Sequence, residues 1–209
     1  MKAFIYTGGV VHTDRVTEHP RADDLRIAAD SGYLTARALG DRVDIAVGDF
    51  DSMPADELPE GVEMIRVRAE KDDTDTQLAV EIAAERGADD IVIIGGMSGR
   101  LDHTLSSLYI LEDLTLRGIY AVMTDGENCA RFLRSGSALI GRSGYKYISL
   151  IAADEKVRGV SIEGCRYPLR GATLERRRQY AVSNEIEGNC ALISVKKGGI
   201  FIIESTDLK

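Results

Sequence analysis

Tryptophan is absent from this 209-residue sequence, and cysteine, histidine and proline are scarce, at three, three and four residues. The cysteines, Cys129, Cys165 and Cys190, are widely spaced, odd in number and form no Cys-x-x-Cys pair. They stand at no metal-ligand spacing from His12, His19 or His103. That excludes a disulfide framework and a zinc site of ordinary pattern, and leaves free thiols in a reducing compartment. No apolar run approaches the length that spans a bilayer. The chain opens directly into a strand-like run at residues 3–6, without a charged-then-apolar signal segment. A soluble, cytoplasmic protein with no membrane partner is expected. Positive charge is short as well: 26 Lys and Arg against 34 Asp and Glu leave a net charge of −8. A binder of phosphate backbones needs a basic face, so nucleic acid is not an expected partner.

What is present is ample apolar content, 44% of residues, enough for one large domain or two small ones. The most informative stretch is Val47-Gly48-Asp49-Phe50-Asp51-Ser52. A short buried strand, residues 44–47, ends at a glycine and is followed by two aspartates at i and i+2. If the backbone stays extended there, both carboxylates point to one side. Two acids that close repel, and a divalent cation between them is the natural remedy. Mg²⁺ takes one or two carboxylates and fills its remaining positions with water and phosphate oxygens.

Up to residue 124, strand-like runs alternate with helical periodicity. Strands are expected at residues 3–6, 25–29, 44–47, 64–67, 90–94 and 120–124. The first is followed by Thr7-Gly8-Gly9, which reads either as a plain tight turn or as one that lets a ligand approach the backbone. Helices are expected with Leu34, Ala38 and Leu39, then Leu78, Ala79, Ile82 and Ala83, then Leu101, Leu105, Leu108 and Leu111 on their inward faces. The turn from Gly95 to Arg100 opens the third helix as a phosphate cradle. It lacks the Gly-Lys-Ser/Thr ending of a Walker A loop, and Arg100 stands where a nucleophile elbow needs its last glycine. Beyond Cys129 the period changes to short strands between glycine turns, at residues 138–140, 147–152, 157–162, 190–195 and 200–203, as in an antiparallel sandwich. Glu175-Arg176-Arg177-Arg178 reads as a solvated face. The expected architecture is α/β: a mostly parallel sheet flanked by helices over residues 1–126, then an all-β sandwich over 127–209.

Alternating strands and helices imply a parallel sheet, whose ligands bind beyond the carboxyl ends of its strands. Asp30, Asp49 with Asp51, Asp72 with Asp75, and Asp102 each fall just after an expected strand. That convergence points to a metal–phosphate site. In order and spacing, Ala29-Asp30-Ser31-Gly32, Gly48-Asp49-Phe50-Asp51-Ser52, Lys71-Asp72-Asp73-Thr74-Asp75 and Gly99-Arg100-Leu101-Asp102-His103 resemble the four motifs of the thiamine pyrophosphokinases. Ser183-Asn184-Glu185 resembles the family's thiamine-contacting segment.

The resemblance implies an α/β catalytic domain, a C-terminal thiamine-binding and dimerisation domain, and a homodimer with sites between subunits. The implied reaction turns ATP and thiamine into thiamine diphosphate and AMP, with Mg²⁺. By motif match, Asp49, Asp51, Asp72, Asp75 and Asp102 form the catalytic acidic cluster, with Asp49, Asp51 and Asp75 on the metal. Asp30, Ser31, Gly32, Lys71, Thr74, Gly96, Arg100 and His103 fall on the nucleotide side, and Ser183 and Asn184 on thiamine. Asp75 and Asp102 both remain open as the base that helps deprotonate the hydroxyl. Some family members use a Trp near the thiamine ring; here the stacking partner is unassigned, Tyr180 being a candidate by nearness to Ser183. The rivals are a nucleotide-sugar glycosyltransferase, which also uses Asp-x-Asp, a pyrophosphokinase acting on another alcohol such as a pterin, and a thiamine or nucleotide sensor without turnover.

Overall fold

The computed structural model describes residues 1–50, 61–67 and 74–207. The chain divides into two compact units, Met1–Gly126 and Glu127–Lys209. Among the described residues no helix is long and apolar enough to cross a membrane.

The first unit is a parallel sheet of β1 (Lys2–Tyr6), β2 (Leu25–Ala29), β3 (Ile45–Gly48), β4 (Glu63–Arg66), β5 (Asp90–Ile94) and β6 (Tyr120–Thr124). Their spatial order is β6-β5-β1-β2-β3-β4. The chain therefore steps outward from β1 through β4, then returns to the other side of β1 with β5. Central parallel strands are covered on both faces, which requires continuous apolar runs rather than alternation. Accordingly Ala3, Phe4, Ile5 and Tyr6 on β1, and Ile91, Val92, Ile93 and Ile94 on β5, are at most 1% exposed. Each large side chain so buried contributes about 1.5–3 kcal/mol.

Three helices connect the strands: α1 (Gly32–Leu39), α2 (Asp75–Glu85) and α3 (Leu101–Leu116). Helix α1 ends at Gly40, whose φ of 77° is the left-handed stop that glycine adopts without steric cost. Helix α2 starts at Thr74, whose hydroxyl accepts the Gln77 N–H at 3.2 Å. That bond satisfies one of the free amides of the first turn. The inward faces differ from those expected. Helix α1 buries Gly32, Thr35 and Ala36, and α3 buries Ser107, Ile110, Leu111 and Leu114. Leu101 and Leu105 are 70% and 48% exposed. Helix α3 carries two apolar stripes, and the sheet takes only one of them.

The second unit is antiparallel: β7 (Asn128–Gly141), β8 (Tyr147–Ala152), β9 (Lys156–Glu163), β10 (Leu169–Glu175) and β11 (Cys190–Ser205). β7 and β11 are each single long strands, where shorter runs were expected, and β10 had not been expected. The first half of β11 pairs with β7 and β9, and its second half with β7 and β8. The exchange occurs at a bulge between Val195 and Gly199. There the inward positions shift from Ala191, Ile193 and Val195 to Ile200 and Ile202. The bulge explains the break in the apolar pattern, since an inserted residue reverses which side chains face in. One ribbon thus serves two sheets that close on a shared core including Leu150, Val160 and Ile162. A glycine suits this corner, because a Cβ at Gly199 would lie 2.4 Å from the Phe132 ring and force the ring to shift.

On the same ribbon Glu204 is 2% exposed. Its carboxylate accepts from Arg131 Nη2 and from the Ser143 hydroxyl, both at 2.9 Å. Burial pushes its pKa above the ordinary value of 4.5, against the pull of Arg131 and Ser143. The folded unit therefore holds this proton more tightly than the unfolded chain, and its contribution to stability falls as pH rises upward from 4.5. Glu204→Gln should flatten that part of the pH dependence in urea denaturation. Arg131→Met, which strands the buried carboxylate, should cost about 3–5 kcal/mol at neutral pH and less toward pH 4.5. A pH-independent loss would show that the pair is not the cause.

Candidate active site

In an open parallel sheet, ligands lodge outside the carboxyl ends of the strands where the strand order reverses. Here that reversal lies between β1 and β5. Both strands end in glycine turns, Thr7-Gly8-Gly9 and the turn from Gly95 to Arg100. They are locked together: the Thr7 N–H donates to the Ile94 carbonyl at 2.9 Å, and the Val10 N–H to the Ser98 hydroxyl at 2.7 Å. A Cβ would sit 2.2 Å from Ser31 Oγ at Gly8 and 2.6 Å from Ser98 Oγ at Gly9, so either serine would have to turn aside, and Gly9 at φ +106° is in a conformation that side chains rarely adopt. The serine hydroxyls occupy that space and leave the backbone open to a ligand.

Neighbouring strand ends add charge. Asp30, after β2, has φ +48°, and its N–H donates to the Val47 carbonyl at 2.8 Å. Asp49 follows β3, and Phe50 beyond it has φ +59°. Phe50 is therefore not in the extended backbone assumed from the sequence at this position, and Asp51 itself lies outside the described residues. A non-glycine residue is held there at a cost of about 1–2 kcal/mol. Phe50 is 6% exposed, packed among Tyr33, Val62 and Met64 with the Arg66 guanidinium 5.6 Å from its ring. The buried ring anchors the turn.

These ends surround a cleft of about 460 Å³. Of the site residues inferred from sequence, Asp30, Ser31, Asp49, Thr74, Asp75, Gly96, Arg100 and His103 line it. Thr7, Gly8, Gly9, Thr76, Ser98 and Ser107 also line it but were not in that set. Ser107 was detectable, because it stands one helical turn after His103 and so shares its face. Gly32 is not on the surface of the cleft. It is buried where α1 meets β1, and a Cβ would fall 2.0 Å from the Tyr6 carbonyl oxygen. Asp51, Lys71 and Asp72 lie outside the described residues.

Asp102 does not line the cleft. Its carboxylate takes Arg100 Nε at 3.1 Å and Nη2 at 2.6 Å, and its Oδ1 also accepts the His103 N–H at 3.0 Å. The Arg100 hydrogen bonds hold its pKa down at about 2. Asp30, Asp49 and Asp75 thus face Arg100, the one lysine or arginine lining the cleft among the described residues. No three acids, histidines or cysteines gather into a metal site among the described residues. Asp49 and Asp75 still fit a hard cation in their chemistry, offering carboxylate oxygens where Mg²⁺ needs only one or two from protein.

Ser183 and Asn184 belong to the second unit. The Asn184 side chain is committed to the backbone: its Oδ1 accepts the Tyr167 N–H at 3.0 Å and its Nδ2 donates to the Tyr167 carbonyl at 2.8 Å. Ser183, at φ +56°, is exposed, and its N–H donates to the Ser149 hydroxyl at 3.0 Å. Tyr180 is half exposed, with its hydroxyl donating to the Thr173 carbonyl at 3.2 Å.

Two family models match the chain in order. Residues 18–123 match the thiamin pyrophosphokinase catalytic domain, and residues 139–200 its vitamin B1 binding domain. A thiamine pyrophosphokinase of Bacillus subtilis is 31% identical over 188 residues, 88% of each chain. The crystal structure of a thiamine pyrophosphokinase from the same organism superposes over the full length of both chains, with a TM-score of 0.89 and 27% identity. One from Geobacillus thermodenitrificans gives 0.86 and 27%, covering 99% of this chain and 98% of the other.

The Gly32 contact yields a direct check. Gly32→Ala should destabilise the protein by about 1–3 kcal/mol in chemical denaturation, the cost of overpacking against a backbone atom. Unchanged stability would mean that α1 can move away from β1.

Proposed function

The chain belongs to the thiamin pyrophosphokinase family, and we propose that it transfers the diphosphoryl group of ATP to the hydroxyl of thiamine, giving thiamine diphosphate and AMP. The observation that carries this reading is the cleft at the β1/β5 reversal, where glycine turns meet Asp30, Asp49, Asp75 and Arg100. The first unit receives ATP, and the second, matching a vitamin B1 binding domain, receives thiamine.

In this reaction the thiamine oxygen forms a bond to the β-phosphorus while the bond from that phosphorus to the α-phosphate oxygen breaks, and AMP leaves. Catalysis is then mostly positioning and neutralisation of phosphate charge. Asp49 and Asp75 would hold Mg²⁺, with Asp51 and Asp72 of the same motifs beside them in sequence. When bound, Mg²⁺ would neutralise the charge of the transferring phosphates. The Thr7-Gly8-Gly9 and Gly95–Arg100 turns cradle phosphate oxygens, together with Ser31 and Lys71. Asp102 makes a poor general base, because a carboxylate held down at about 2 accepts protons poorly at neutral pH. Thr74 serves first as the cap of α2, and Gly32 as the contact that seats α1.

On the thiamine side, Ser183 supplies a free hydroxyl, and Asn184 shapes its loop through the Tyr167 backbone. Tyr167 is 60% exposed and held by Asn184. It is therefore a better stacking partner for the thiamine rings than Tyr180.

A homodimer is supported by charge and by surface. Unit one carries 12 Lys and Arg against 25 Asp and Glu, a net of −13, and unit two carries 14 against 9, a net of +5. Opposite surfaces favour association between copies. Leu101, Leu105, Tyr109 and Leu116 form an exposed apolar stripe along α3. Free thiols at all three cysteines, with Cys190 exposed, support the cytoplasm as its compartment.

AMP release from ATP tests the reading. AMP should form only with thiamine and Mg²⁺ together, and AMP formed with a pterin alcohol but not with thiamine would overturn the substrate assignment. Asp49→Ala and Asp75→Ala should each lower kcat on the order of a hundredfold. Their thermal midpoints should change little, because neither side chain is core.

A further inference from the structure

Arg100 and Asp102 are 72% and 64% exposed at the side chain, so their ion pair sits in water and is readily exchanged. The two partners are not equally fixed. Asp102 stands in the first turn of α3, and its Oδ1 also takes the His103 N–H. Arg100 precedes the helix in extended backbone (φ −69°, ψ 122°), after Gly99 at φ +82° with nothing within 4 Å of where its Cβ would be. The guanidinium is therefore the mobile member.

It is also the one lysine or arginine lining the cleft among the described residues, facing Asp30, Asp49 and Asp75. Left without Asp102, it would be drawn across the cleft onto those carboxylates. A phosphate presents the same bidentate acceptor geometry to a guanidinium as a carboxylate does, and with more charge.

We propose that Asp102 is a positioning residue, the resting counter-ion of Arg100, which keeps the guanidinium at the rim of the cleft and yields it to the nucleotide phosphates. This rests on the nucleotide-binding reading above. Asp102 then touches neither substrate nor metal and acts only through Arg100. Its depressed pKa agrees, since the carboxylate stays ionised as a counter-ion across the working pH range.

A double-mutant cycle tests it. The affinity for ADP, by calorimetry with and without Mg²⁺, and kcat for AMP formation are measured for the wild type, Asp102→Asn, Arg100→Gln and the double variant. Asn retains an acceptor for the His103 N–H, and circular dichroism reports the fold. Asp102→Asn should change ADP affinity by roughly threefold or more, about what an exposed ion pair contributes. On the Arg100→Gln background the same substitution should change neither ADP affinity nor kcat. The proposal is overturned if ADP affinity is unmoved by Asp102→Asn, or if the kcat losses of the two single variants multiply in the double. ADP binding needs no turnover, so a wild type that forms no AMP would sink the reaction assignment while the cycle still judges the counter-ion.

Discussion

The reversal of strand order at β1 is the constraint on which the first unit depends. Each parallel strand must be reached by a crossover, and right-handed crossovers put the connecting segment on one face when the chain steps one way across the sheet and on the other face when it steps back. Moving outward to β4 and returning to β5 sends the connections after β1 and β5 away from each other. The carboxyl ends of those two strands are left uncovered, and the Thr7 and Gly95 turns meet there. The glycines follow from this meeting. The turns pack closely, with the Ser31 hydroxyl against Gly8 and the Ser98 hydroxyl against Gly9.

The charge of the site then dictates its chemistry. Among the described residues three carboxylates line the cleft, in a unit with a net charge of −13, an environment that repels phosphate. A polyphosphate substrate is compatible with it only when a cation neutralises the acids and backbone amides face the phosphates. This accounts for acids and glycine turns sharing one cleft. It also makes the placement of Arg100 consequential, since a guanidinium free to move among carboxylates needs a fixed partner elsewhere.

The second unit meets a different demand. A small all-β unit must close two sheets on one core, and it does so by bending a single ribbon, β7 with β11, at a glycine-containing bulge. Its buried Glu204 is tolerated because Arg131 and Ser143 satisfy the carboxylate, and a buried ion pair of this kind is sensitive to loss of either member.

Much of this was legible in the amino-acid sequence, because some signals are local. Short apolar runs bounded by turns, such as residues 90–94 and 120–124, read as buried strands, and acids that follow strands in succession fall together at the carboxyl end of a parallel sheet. The order of the motifs carried the family. Tertiary structure decided what depends on partners. Helix α3 has two apolar stripes, and only the position of the sheet selects Ile110, Leu111 and Leu114 over Leu101 and Leu105. β11 reads as two runs, because the bulge that makes it one bent strand also breaks its alternation. The left-handed turn at Phe50 is invisible to propensity, since it is held by packing against Tyr33, Val62 and Met64. The separation of Asp102 from the other acids has the same origin. Its motif places it near the cleft, and its seat in the first turn of α3, with the His103 N–H on its Oδ1, fixes it outside.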